Sequence, residues 1–248
     1  IIAGYAQQGQ GQEAINCFER MQSEGISPNE VTFIFVLSAC GSIGAINKGK
    51  QIHDEILRRG FLEKSLALGN ALIDMYAKCG KISMAFQVLE ELPVRNVVSW
   101  NALILGYAQL GENAKALNTF NRMRDEGRTP DVVTFIGVLN ACSHALLVDE
   151  GEAYFDAMSK DYDISPTLEH YTCMVDLYGR GGHVDNVVEI IRRMPLHPDI
   201  VMWHIMLTMC RKCGHLELAL LAFEHAVGLD PKAVATYVSM SNIYADAD

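Results

Sequence analysis

No apolar run in this sequence is long and unbroken enough to cross a bilayer. Although 50% of its 248 residues are hydrophobic, a membrane-spanning helix is therefore excluded, and a soluble chain with no membrane partner is expected. Positive charge is scarce: 20 Lys and Arg stand against 30 Asp and Glu, a net charge of −10. Such a chain is a poor non-specific binder of polyanions. Proline is absent from every apolar-periodic segment. Pro28, Pro93, Pro130, Pro166, Pro195, Pro198 and Pro231 all fall between such segments, so none interrupts a helix. The seven cysteines are odd in number and scattered, which argues for a reducing compartment rather than a disulfide framework. There is no phosphate-binding glycine loop, no nucleophile elbow and no catalytic carboxylate pair.

What is present is repetition. NALIDMYAKCG at 70–80 returns as NALILGYAQLG at 101–111. With the tyrosine of each copy as a ruler, one column reads Tyr5, Cys40, Tyr76, Tyr107, Cys142, Tyr178, Cys210 and Tyr244, in steps of 35, 36, 31, 35, 36, 32 and 34 residues. Four residues on stand Gly9, Gly44, Gly80, Gly111, Leu146, Gly182, Gly214 and Asp248. Glycine dominates there because a helix is ending and the backbone needs positive φ. A small-residue column follows: Ala14, Gly49, Ala85, Ala116, Gly151, Val187 and Ala219. It lets two helices approach closely, and only Val187 departs from it.

Between these markers the apolar spacing is helical, as in Val98, Trp100, Leu103, Ile104 and Tyr107, then Ala116, Leu117, Phe120 and Met123. Each unit is helix A, tight turn, helix B and loop. One hairpin cannot bury its apolar face alone, so consecutive hairpins must stack. The expected fold is all-α, an α-solenoid of helix-turn-helix repeats. Because the chain opens in mid-helix at Ile1 and stops within a unit, it is expected to be part of a longer one, with any targeting peptide upstream.

The ruler also sorts the charges and cysteines. The first 14 residues of the six full A helices carry Glu30, Asp74, Glu169 and Asp176 against Lys78, Arg180, Arg211 and Lys212. Helix A is thus neutral and the negative charge lies on helix B and the loops, so a polyanion would have to lie along helix A. Cys40, Cys142 and Cys210 occupy the tyrosine column and are expected to be small core residues. His53-Asp54-Glu55 and Cys210-Arg211-Lys212-Cys213 imitate the H-x-E and P-C-x-x-C of a zinc deaminase. Residue 209 is Met, and the two pieces fall five units apart, so the match is accidental. Cys213 and His215 are two possible zinc ligands at a turn, too few for a site. His170, His204 and His225 lie one to a unit and are expected to be satisfied or solvated. No catalytic residue, cofactor or metal is expected.

Val97–Asp131, VVSWNALILGYAQLGENAKALNTFNRMRDEGRTPD, resembles a pentatricopeptide repeat, and the alternating lengths resemble the plant PLS subclass. The resemblance implies a truncated P-type repeat at 1–29, L at 30–65, S at 66–96, P at 97–131, L at 132–167 and terminal S at 168–199. It further implies a first E motif at 200–233 and the start of a second at 234–248, where YVSMSNIYADA is similar to the family's usual ending. A right-handed superhelix is implied as well.

Members of this family read single-stranded RNA one base per repeat, through the fifth residue of helix A and the last residue of the repeat. The resemblance implies Asn70 with Asn96 for a pyrimidine, often C, Asn101 with Asp131 for U, and Thr172 with Asp199 for G. Asn29 closes the first repeat without its partner. Ile34 with Ser65 and Ile136 with Thr167 depart from the pattern and imply little base choice. The order is then pyrimidine, U, any base, G. From periodicity alone Asn101 either faces the groove or hydrogen-bonds near a helix start.

The function implied is site recognition in C-to-U editing of mitochondrial or chloroplast transcripts. The DYW-type deaminase would act in cis or in trans, and MORF-type proteins would bind the L repeats. Two alternatives remain open at this point. One is a tetratricopeptide-like peptide scaffold, which the acidic charge and Leu229-Asp230-Pro231 favour. The other is the RNA-binding part of a full-length DYW-type cytidine deaminase.

Overall fold

The helices that open at Glu30, Leu66, Val97, Val132, Leu168 and Ile200 start where Asn, Ser, Asp or Thr stands just before an apolar-periodic stretch. A computed structural model describes residues 1–247, and among them fifteen helices and no strand. The chain divides into two compact units, the first Ile1–Pro130 and the second beginning at Asp131. The first holds α1 (Ile2–Gln7), α2 (Gly11–Ser23), α3 (Glu30–Ser42), α4 (Ile46–Arg58), α5 (Leu66–Lys78), α6 (Ile82–Glu91), α7 (Val97–Gln109) and α8 (Asn113–Asp125). The second holds α9 (Val132–Ala145), α10 (Val148–Asp161), α11 (Leu168–Gly181), α12 (Val184–Arg193), α13 (Ile200–Cys213), α14 (Leu216–Leu229) and α15 (Val234–Ala247). Within each unit the odd-numbered A helices pack on one another in sequence, and each of α1 to α14 packs on its hairpin partner.

The turn inside each hairpin takes the backbone conformation that the glycine column implies. Gly9, Gly44, Gly80, Gly111, Gly182 and Gly214 have φ between 67° and 77°, and Leu146, which replaces glycine after α9, is held at φ 57°. A leucine there carries the Cβ clash that glycine avoids. Asp248, the last member of that column, lies outside the described residues.

The small-residue column lies at the tightest packing between hairpins. Ala14, Ala85, Ala116, Val187 and Ala219 are fully buried. A Cβ added to Gly49 would lie 2.5 Å from Met75 Sδ, and one added to Gly151 would lie 2.3 Å from Leu177 Cδ2. Both intruding side chains belong to the A helix of the following hairpin, so smallness here serves stacking between hairpins. Val187 fits the column despite its size.

The core runs along the A helices, with Leu72, Ile73, Trp100, Leu103 and Ile104 buried in the first unit and Phe135, Val138, Val175, Leu177 and Leu207 in the second. Burying each such side chain is worth about 1.5–3 kcal/mol. Cys40, Cys142 and Cys210 are fully buried. Burial pushes their thiols up to about 12, 12 and 11, so they stay protonated and neither attack nor ligate. No described helix is long and apolar enough to cross a membrane.

Candidate nucleic-acid interface

The residues expected to close each repeat all sit at helix starts. Asn29 Oδ1 accepts from the Thr32 amide at 2.9 Å, Asn96 Oδ1 from Ser99 at 3.0 Å, Asp131 Oδ1 from Thr134 at 2.9 Å and Asp199 Oδ1 from Met202 at 2.9 Å. Ser65 Oγ accepts from Leu68 at 3.2 Å. The Thr167 amide donates to His170 Nδ1 at 3.1 Å, and the Thr167 hydroxyl donates to Glu169 Oε2 at 2.6 Å. A cap of this kind is worth about 1 kcal/mol. The polar identity of this column therefore has a reason in folding, whatever it reads. Its signal was present in the sequence as Asn or Asp followed three residues later by Ser or Thr, at 29/32, 96/99 and 131/134.

The three expected reading pairs are placed differently. Asn70, in the first turn and a half of α5, and Asn96, the cap of α7, meet: Asn70 Nδ2 donates to Asn96 Oδ1 at 3.4 Å. Between them lies the buried Ser99, whose Oγ is 2.6 Å from Asn70 Oδ1 and 2.9 Å from Asn96 Oδ1. A hydroxyl has one proton, so it serves one of these oxygens at a time and leaves lone pairs for a further donor.

In the second unit the Thr172 hydroxyl turns back to its own helix and donates to Leu168 O at 2.8 Å, while Asp199 caps α13. Asn101 is only 5% exposed and is not without a partner in the protein. Asp131 opens the second unit and shares a capping box with Thr134, whose Oγ1 is 3.0 Å from the Asp131 amide. Ile34 and Ile136 are half-buried, and Asn29 is exposed.

A column that the sequence reading missed lies one turn before these fifth residues. Val31, Val98, Val133 and Val201, each the second residue of an A helix, are 56%, 50%, 41% and 52% exposed. Residues two and five are i,i+3 neighbours on one face. An exposed valine among many apolar residues carries no mark in a sequence, so only the structure separates it from the core.

Three of the four cations on the A helices are paired with a carboxylate. Lys78 Nζ lies 2.7 Å from Asp74, Arg180 Nε 2.7 Å from Asp176, and Arg211 Nε 2.6 Å from Asp246. Within the second unit, Asp176, Arg180, His204, Thr208 and Lys212 line a cleft of about 370 Å³ between α11 and α13. His204 Nε2 is 2.8 Å from Thr236 Oγ1, His170 Nε2 is 2.9 Å from Val132 O, and His225 stacks on Trp203.

His53 sits in α4 with Nδ1 2.9 Å from Tyr76 Oη, while its buried Nε2 has no partner among the described residues. Burial lowers the pKa of both His53 and His170. Cys210 and Cys213 belong to α13 of the other unit.

These features define a class, an all-α solenoid of stacked helical hairpins that presents polar residues at helix starts. The family follows from comparison with known proteins. Residues 1–61 and 95–144 match the PPR repeat family, and residues 70–97, 133–162 and 169–197 match the PPR repeat. The chain belongs to the pentatricopeptide repeat family and is of the plant type.

Among its Arabidopsis thaliana relatives, pentatricopeptide repeat-containing protein At2g20540 is 44% identical over 94% of this chain and 44% of its own length. CRR2, chloroplastic, is 42% identical over 100% of this chain and 38% of its own. At1g77170, mitochondrial, is 38% identical over 99% and 53%. The chain thus spans roughly half of these relatives or less. Its fold is that of the pentatricopeptide repeat protein PPR10 solved in complex with an 18-nt psaJ RNA element. That likeness has a TM-score of 0.78 at 19% identity, over 100% of this chain and 36% of PPR10.

Proposed function

We propose that this chain binds single-stranded RNA sequence-specifically, one base per hairpin, as the site-recognition part of an organellar C-to-U editing factor of the PLS class. The observation that carries the reading is the meeting of Asn70 and Asn96 across Ser99. Two polar side chains 26 residues apart converge on one place with acceptor capacity to spare, which is what recognition of an unpaired base edge requires. The exposed Val98 supports it as an apolar seat one turn before Asn101, against which the face of a base can pack. Asn101 with Asp131 and Thr172 with Asp199 take the second and fourth bases in the order pyrimidine, U, any base, G.

In the same reading the 200–233 and 234–248 segments are E motifs, and the L-type hairpins 30–65 and 132–167 receive MORF-type partners. The deaminase is a DYW-type domain in cis or in trans, and the setting is the mitochondrion or chloroplast, as the names of the relatives suggest.

The test is binding of the chain to short RNAs that match this order, against the same RNA with the U replaced, repeated with Asn101→Ala. The expected result is a loss of about 1–3 kcal/mol on the base swap that disappears in the variant. Binding indifferent to both changes would refute the reading, and absence of RNA binding would favour a peptide-binding scaffold instead.

A further inference from the structure

The four cations on the A helices differ in how freely they can meet a phosphate. Lys78 and Arg180 are the thirteenth residues of α5 and α11, and the ninth residue of each helix is an aspartate, Asp74 and Asp176. The i,i+4 spacing places each carboxylate 2.7 Å from its cation on the same helix face. Asp176 is anchored further by the Ser143 hydroxyl, 2.5 Å away. Both pairs are partly open to solvent, with side-chain exposures of 49% and 39% for Lys78 and Asp74, and 43% and 26% for Arg180 and Asp176.

The chain contains its own control. Lys212 is the thirteenth residue of α13, but the ninth is Thr208, and among the described residues Lys212 makes no ion pair. It lines the same cleft as Arg180 and Asp176.

We infer that Asp74 and Asp176 are specificity-setting residues: they occupy Lys78 and Arg180 in place of RNA phosphates, and so move the chain's affinity from backbone charge to base contacts. The inference rests on the RNA-binding reading above and deepens it. A cation already neutralised by a carboxylate releases no counterion when a phosphate arrives, and the carboxylate repels that phosphate at a distance far inside the Debye length. The phosphate contribution, which is the same for every sequence, is thereby suppressed, while contacts to base edges are untouched. Lys212 is left as the A-helix cation that pairs with the backbone directly.

The experiment measures affinity of the chain for matched and mismatched single-stranded RNA across a range of KCl concentrations. Asp74→Asn, at a solvent-open pair that contributes little to folding, and Asp176→Asn, which keeps an amide oxygen to accept from the buried Ser143 hydroxyl, are each expected to tighten binding to mismatched RNA about two- to fivefold and to narrow the gap to matched RNA. Each is expected to steepen the dependence of log K on log salt by about 0.7. Lys78→Ala is expected to leave the slope of the wild-type chain nearly unchanged but to cancel the gain in the Asp74→Asn background, whereas Lys212→Ala lowers the slope in the wild type itself.

Folded Asp→Asn variants with wild-type affinity and slope, in a chain that still discriminates bases, would overturn the inference and leave the RNA reading standing. Absence of RNA binding by the wild type and every variant would overturn both.

Discussion

The stretches 30–99 and 132–202 repeat one framework and differ in the polar atoms they carry. Each has a glycine on its first B helix beneath the next A helix, Gly49 under Met75 and Gly151 under Leu177. Each has an aspartate paired to a cation one turn on. In the first, Asn70, Asn96 and Ser99 form one hydrogen-bonded group; in the second, Thr172 bonds to its own helix and Met202 stands where Ser99 does. The packing that makes the hairpins stack is therefore indifferent to the groups offered to a ligand. One scaffold can carry different polar groups without being redesigned.

The largest test of this parallel is at the two glycines. Gly151→Val should cost about 3 kcal/mol in urea unfolding, because Leu177 is branched and close, while Gly49→Val should cost about 1–2 kcal/mol because the unbranched thioether of Met75 can yield. Equal losses would show that the two interfaces are alike after all.

Next in size is the polar group. Ser99→Ala removes a buried hydroxyl that donates to one of two side-chain oxygens and accepts from the Asn96 amide and should cost about 1.5–2 kcal/mol, whereas Thr172→Val should stay within about 0.5 kcal/mol, since its hydroxyl only doubles a helix carbonyl's bond. Asp199→Ala should lose about 1 kcal/mol with its cap, and Asp199→Asn only a few tenths. On the proposed reading, the Asn variant should nonetheless shift base preference at the G position, a separation of folding from recognition that RNA binding would report.

The smallest effect is with pH. His53 and His170 are buried and held neutral, with lowered pKa. The unfolded chain therefore takes up protons that the folded chain refuses, and stability falls as pH drops below about 6.5. Between pH 7 and 5.5 the loss has an upper limit of about 1.2 kcal/mol per histidine, set by the ordinary pKa of about 6.5 in the unfolded chain, and His53→Gln should flatten the first unit's share.

The fold was legible because a repeat supplies its own internal alignment. Gly44, Gly80 and Gly111 mark turns that one copy alone would leave ambiguous, and even Leu146 could be assigned positive φ from its column. The site was legible in part. The sequence showed which residues are polar at positions five and last, and that helix A is neutral. It did not show that Asp74 and Asp176 are paired with Lys78 and Arg180, although the i,i+4 spacing was there to be read. Nor could it show the burial of Asn101 or the exposure of Val98, since both depend on how neighbouring helices cover a face, which is a property of packing and not of local pattern.

The capped helix starts have a consequence for what such a chain can say. If the residue before each A helix must be Asn, Asp, Ser or Thr for the helix to begin well, that position has an alphabet of about four letters, set by folding before any ligand is considered. Asn29, Ser65, Asn96, Asp131, Thr167 and Asp199 all obey it. Vocabulary for recognition would then have to grow at the fifth residue, where no cap is needed and where Ile, Asn and Thr already occur. On the proposed reading, a chain rewritten for a new target has one constrained letter and one free letter per hairpin.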